Sequence, residues 1–165
     1  MGLIIRIPLI SDPFGADLVF TCGLNYKEKT VSLSIVKDSI DLGIITKNAD
    51  KMLTFYRDTL GLEVEGELPL PGEGVMHRLK CGGSIIKIVV NGKQPPAESA
   101  PGGIGGATGY RYWTITIDNL EQAVKTCRDA GYQVVVPVME FRPGVSISII
   151  EDPDGNWVEF VQRSG

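Results

Sequence analysis

Histidine is almost absent from this chain: His77 is the only one in 165 residues. Most zinc, iron and nickel sites take two or more imidazoles, so a conventional catalytic metal centre is hard to build here. Cysteine is sparse as well. Cys22, Cys81 and Cys127 are odd in number and far apart. That argues against a disulfide framework or a zinc ribbon and leaves reduced thiols, as expected of a cytoplasmic protein. There is no excess of positive charge. Sixteen basic against 20 acidic side chains give a net charge of −4, whereas a general nucleic-acid or anionic-membrane binder carries a basic stripe. No apolar run approaches the roughly 20 residues needed to span a bilayer. The opening stretch, Met1 to Ile10, holds Arg6 and Pro8 and shows no small-residue cleavage site, so it reads as neither signal peptide nor anchor. What is plentiful is apolar side chains, at 43%, and glycine, at 20 residues. That composition suits one buried core, built as a single domain or as a pair of small repeated modules.

Two segments share one pattern. The first covers residues 39–91 and the second residues 110–165. Each opens with an apolar strand, Ile40 to Ile45 and Tyr112 to Ile117, and then turns at Asn48 or Asp118, whose side chains can cap a helix. Apolar residues follow at helical spacing: Met52, Leu53, Phe55, Tyr56 and Leu60 in the first, Leu120, Ala123, Val124, Cys127 and Ala130 in the second. Gly61 and Gly131 stop the helices. Three short β-like runs then follow in each: Leu62 to Leu68, Val75 to Lys80 and Ser84 to Val90, against Gln133 to Val138, Val145 to Ile150 and Trp157 to Gln162. Caps and stops are offset by the same 70 residues, 48 to 118 and 61 to 131. A period this long means paired βαβββ modules rather than a solenoid.

The proline- and glycine-rich linker 92–109 is expected to be a mobile connection. Its run Gly102-Gly103-Ile104-Gly105-Gly106 lacks the following Lys-Ser/Thr of a phosphate-cradling loop. Residues 1–38 form an N-terminal extension outside the duplication, in which Val31 to Ile35 alternates like an extra strand. Within the modules, alternation divides each strand into two faces. The apolar faces, such as Trp113, Ile115 and Ile117 or Val145, Ile147 and Ile149, are expected under the helices. The opposite faces, with Tyr112, Lys87, Glu159, Trp157, Ser146 and Ser148, are expected to line a shared cup. A tight hairpin at Cys81 to Ser84 places Arg78 opposite Lys87 on the cup face and turns His77 toward the helices. A slip of one residue reverses that placement.

Two motifs carry a resemblance. Ile40-Asp41-Leu42-Gly43-Ile44 with Phe55-Tyr56-Arg57-Asp58-Thr59-Leu60-Gly61-Leu62 resembles the opening of a glyoxalase-type module. Asp152-Pro153-Asp154-Gly155-Asn156-Trp157-Val158-Glu159-Phe160 resembles its closing turn and strand. The chain is thereby similar, over residues 39–163, to the vicinal oxygen chelate superfamily of glyoxalases, extradiol dioxygenases and bleomycin-binding proteins. The resemblance implies an α+β fold: two βαβββ modules forming a curled mixed sheet cup with helices on the outside. It also implies a homodimer.

The metal enzymes of that superfamily place one ligand on each of four strands. Those positions fall here on Asp41, Lys87, Tyr112 and Glu159. Only Glu159 retains the usual donor, and a lysine ammonium repels a divalent cation. No cofactor is therefore favoured, with a divalent metal as the alternative. The expected partner is a small aromatic or anionic molecule rather than nucleic acid or membrane. Its ligand-binding residues are Lys87, Tyr112, Trp157, Arg78, His77, Ser146 and Ser148. The alternative is an enzyme (lyase, isomerase or dioxygenase), either with Glu159 or Asp41 as acid/base or with a metal completed by a second subunit. The bland reading of the same four positions is a self-satisfied polar network. The turn Asp152 to Asn156 and the stripe Met52, Phe55, Tyr56 are read as structural.

Overall fold

The computed structural model describes residues 33–164. The readings of Met1 to Ile10 and of Cys22 lie outside these, as do the first two residues of the strand expected at Val31 to Ile35. The last three, Leu33 to Ile35, are not in a strand, and all three are exposed. Residues 36–165 form one compact unit.

Both predicted modules are there. In the first, β1 (Leu42–Ile45) leads to α1 (Ala49–Leu53), which widens into a π-helical segment, Thr54–Thr59. The strands β2 (Glu63–Leu70), β3 (Gly74–Cys81) and β4 (Ser84–Val90) follow. After a short turn of helix, α2 (Gly103–Gly106), the second module runs β5 (Tyr112–Thr116), α3 (Leu120–Asp129), β6 (Val134–Arg142), β7 (Val145–Glu151) and β8 (Trp157–Arg163). The two four-stranded sheets have the same order, β1-β4-β3-β2 and β5-β8-β7-β6. The pairs β1/β4 and β5/β8 are parallel and the rest antiparallel. The fold is α+β with duplicated βαβββ modules, as the sequence pattern implies.

The two helices start differently. Asn48 caps α1 as expected, its side chain accepting from the Lys51 N–H at 3.1 Å. Asp118 does not cap α3. The free N–H of Leu120 instead donates to Gln162 Oε1 of β8 at 2.8 Å, so a strand side chain does the work of a local cap. Both helices end at a glycine with positive φ, Gly61 at 74° and Gly131 at 88°.

A single core joins the modules. Met52, Phe55 and Tyr56 of the first helix are fully buried with Ile86 and Ile88 of β4, Val124 and Cys127 of α3, and Val158 and Phe160 of β8. The ring of Phe55 meets Tyr56 and Tyr132 edge-on, each at 4.7 Å between centroids. In the π-helical segment the Leu60 N–H reaches back five residues to Phe55 O at 2.9 Å. Adjacent Phe55 and Tyr56 both point inward there. Among the described residues, no helix is long and apolar enough to cross a membrane.

Candidate ligand-binding face

Strand alternation decides which side chains leave the core. Leu42 and Ile44 of β1 pack on the core, which turns Asp41, Gly43 and Ile45 to the opposite face. Ile86 and Ile88 likewise leave Lys87 on that face, and Leu79 leaves Arg78 there. The register places Arg78 directly opposite Lys87, and the Cys81 to Ser84 hairpin is present. Each cation has a carboxylate beside it. Lys87 Nζ lies 3.0 Å from Asp41 Oδ2, and Arg78 pairs with Glu65, an acid that a bulge in β2 adds beside it. Lys37 Nζ takes the other oxygen of Asp41 at 2.7 Å, and the Ile85 N–H donates to the same oxygen at 3.2 Å.

These neighbours hold the Asp41 carboxyl far below the usual carboxylate range, the bond from Lys37 counting most and that from Lys87 next. Asp41 is consequently a weak base. A group with a lowered folded pKa stabilises the fold above its ordinary value and loses that contribution as pH falls. The wild type should therefore lose stability faster than Asp41→Asn as urea melts are moved from neutral pH down through pH 4. Parallel curves would refute this.

In the second sheet the face turned from the core carries Tyr112 and Thr114 of β5, Trp157 and Glu159 of β8, and Ile147 and Ile149 of β7. Thr114 Oγ1 donates to Glu159 Oε2 at 2.6 Å. Trp157 Nε1 donates to Glu151 Oε2 at 3.2 Å. Tyr112 is 49% exposed.

Two expectations need correction. Ser146 and Ser148 do not share a face with Glu159. Ser148 pairs with Phe160 and Ser146 with Gln162, on the core side. Ser148 is fully buried and donates to Val136 O at 2.7 Å. Alternation alone put the three apolar residues inward, but Ile150, at the other parity, is the one in the core, and the serine hydroxyl is satisfied by the neighbouring strand. Nor is 92–109 a free connection. Lys47 pairs with Glu98, Ser99 Oγ donates to Asp154 O at 3.2 Å, and Arg111 holds the carbonyls of Ala100, Pro101 and Gly103. His77 turns toward the core side, opposite Ile88, with Nδ1 2.9 Å from Glu67 Oε1.

Of the four positions at which the resemblance expects metal ligands, Asp41 pairs with Lys87, Glu159 instead accepts from Thr114, which is outside the set, and half-exposed Tyr112 joins neither pair. Among the described residues no hydrogen bond or ion pair links one pair to the other. Nor do any three His, Cys, Asp or Glu side chains there gather as a metal cage. An ammonium paired to one carboxylate and a half-exposed phenol make a poor donor set for a divalent cation. The residues present do not fit the metal.

Residue reasoning treated Tyr56 and Asp152 as structure and missed that they bond each other. Asp152, 4% exposed, accepts from Tyr56 Oη at 2.8 Å and from the N–H groups of Asp154 and Asn156. A tyrosine within an apolar helical stripe was the available signal, since a buried phenol requires a partner. Trp113 Nε1 is buried with no partner among the described residues.

Similar proteins agree with this architecture. A glyoxalase family protein from Bacillus cereus superposes with a TM-score of 0.70 at 16% identity, over 82% of this chain and 99% of that one. Lactoylglutathione lyase from Agrobacterium tumefaciens gives 0.54 at 24% identity, over 75% and 92%. TioX from Micromonospora sp. ML1 gives 0.58 at 17%, over 76% and 98%. No curated protein matches the chain in sequence. Residues 39–160 match the description of one family, and the chain belongs to the Glyoxalase/Bleomycin resistance protein/Dioxygenase superfamily.

Proposed function

We propose that this member of the superfamily binds a small anionic aromatic molecule and does so without a metal. The observation that carries the reading is the cross-strand pair Arg78 and Lys87, standing on the face where metal enzymes of this kind would carry a donor. Two cations directly opposite each other repel unless anions lie between them. In the first sheet Arg78 and Lys80 each have a carboxylate of their own, Glu65 and Glu63, whereas Lys37 and Lys87 share that of Asp41. One ammonium of that sharing pair is available for a ligand carboxylate or sulfonate, with the Arg78 guanidinium on the neighbouring strand beside it. Trp157 and Tyr112 supply aromatic surface on the second sheet. Exposed Ile45, Met139 and Phe141 support a homodimer that covers part of these faces.

The test is calorimetric titration with 2-naphthoate, comparing the wild type with Lys87→Met. Removing a charged partner of the bound anion should weaken binding about tenfold or more. Equal affinity in the two proteins would remove Lys87 from the site.

A further inference from the structure

Resting on that reading, we propose that Ala100 to Gly106 is a displaceable strap. Its backbone occupies the indole face that a ligand ring would use, and Arg111 is the latch that holds it there.

Three observations carry this. First, the strap's backbone lies against Trp157 at van der Waals range: a Cβ built on Gly103 would stand 2.0 to 2.3 Å from Cε2, Cδ2 and Cζ2 of that ring. Only a residue without a side chain allows so close an approach. A peptide group is flat and polarisable, so it fills the place of a stacked ring. Second, the strap is weakly anchored. Four of the five residues from Gly102 to Gly106 are glycine, and the fifth, Ile104, is 53% exposed. The segment's own side chains bury little apolar surface, so the hydrophobic cost of opening is confined to the indole face it uncovers, which a ligand ring covers again. Third, Arg111 holds the segment through carbonyls alone. Its Nε donates to Gly103 O at 2.6 Å, and its Nη2 to Ala100 O at 2.6 Å and Pro101 O at 3.3 Å. No carboxylate pairs with it among the described residues. All three acceptors are neutral, so the latch is weaker than an ion pair. Arg111 also immediately precedes Tyr112, so a shift at the latch is felt beside the site.

The strap thus sets the fraction of protein competent to bind. Ligand affinity is reduced by that fraction, and loss of the latch should restore it. The experiment combines amide hydrogen exchange over residues 100–108 with 2-naphthoate titration, using Arg111→Met and, independently, Gly103→Ala. Arg111→Met removes the three bonds, and Gly103→Ala wedges a methyl against the indole at a residue whose φ is 49°. Exchange in the strap should quicken about tenfold or more in both variants, and 2-naphthoate should bind several-fold more tightly. Faster exchange with unchanged affinity would overturn the gate and leave the binding reading standing. Unchanged exchange in both variants would overturn the latch. Failure of wild type and opened variants alike to bind would sink the binding reading, and the gate with it.

Discussion

Asp152→Ala should be among the most damaging single changes in the protein, lowering stability by about 3 kcal/mol or more. The carboxylate is buried and receives the Tyr56 hydroxyl, the backbone N–H groups of Asp154 and Asn156, and the Asn156 amide. Alanine leaves the fully buried Tyr56 hydroxyl and the part-buried donors of Asp154 and Asn156 without this acceptor. The loss is large against the roughly 5–15 kcal/mol that holds a domain folded. Tyr56→Phe removes one bond to a charged acceptor and should cost about 1.5–3 kcal/mol. Asp152→Asn keeps a side-chain oxygen and so separates shape from charge.

Burial pushes the Asp152 carboxyl above its ordinary value, and the bonds from Asn156 and Tyr56 oppose this only in part. A raised folded pKa means that the folded state favours the proton. The associated stability is fully present below the ordinary carboxylate value and is lost as pH rises through the folded one. The wild type should therefore gain on Asp152→Asn when melts are moved from pH 7 to pH 4. The sign is opposite to that for Asp41. Urea midpoints at the two pH values decide the matter. A cost for Asp152→Ala below about 1 kcal/mol would show that the bonds to Asp152 carry no weight.

Phe55→Ala should cost about 3–5 kcal/mol. The ring is fully buried and has aromatic neighbours from both modules, Tyr56 and Tyr132. Its removal opens a cavity at the seam rather than inside one module. Phe55→Leu should retain most of the contact and cost roughly 1–2 kcal/mol. Because the seam holds the modules as one cooperative unit, Phe55→Ala should also lower the urea m-value or split the transition. A single sharp transition with stability reduced by less than 1 kcal/mol would contradict the shared core.

Much of this architecture is legible in the residues. The 70-residue offset between Asn48 and Asp118 and between Gly61 and Gly131 marks the duplication without any structure. The Cys81 to Ser84 hairpin was enough to place Arg78 opposite Lys87, because hairpin length determines register. The errors have physical sources. In β7 alternation points the wrong way: Val145, Ile147 and Ile149 make the more apolar face, yet the face with Ser146, Ser148 and Ile150 is the one turned to the core. Composition suggested a mobile linker, but three carbonyl bonds to one arginine hold part of it in place. Convergence of Asp41, Lys87, Tyr112 and Glu159 depends on how the sheets meet, which no strand-level pattern encodes.

The difference between the two helix starts bears on the order of events during synthesis. Asn48 sits within three residues of the N–H it satisfies, so the first helix has its cap as soon as it is made. The start of the second waits for Gln162, which is 42 residues further along. A chain emerging from the ribosome can therefore complete the first helix at once, but it must finish the last strand before the second is secured. The duplicated halves are alike in topology, yet their helix starts should be secured one after the other, before the shared core closes over both.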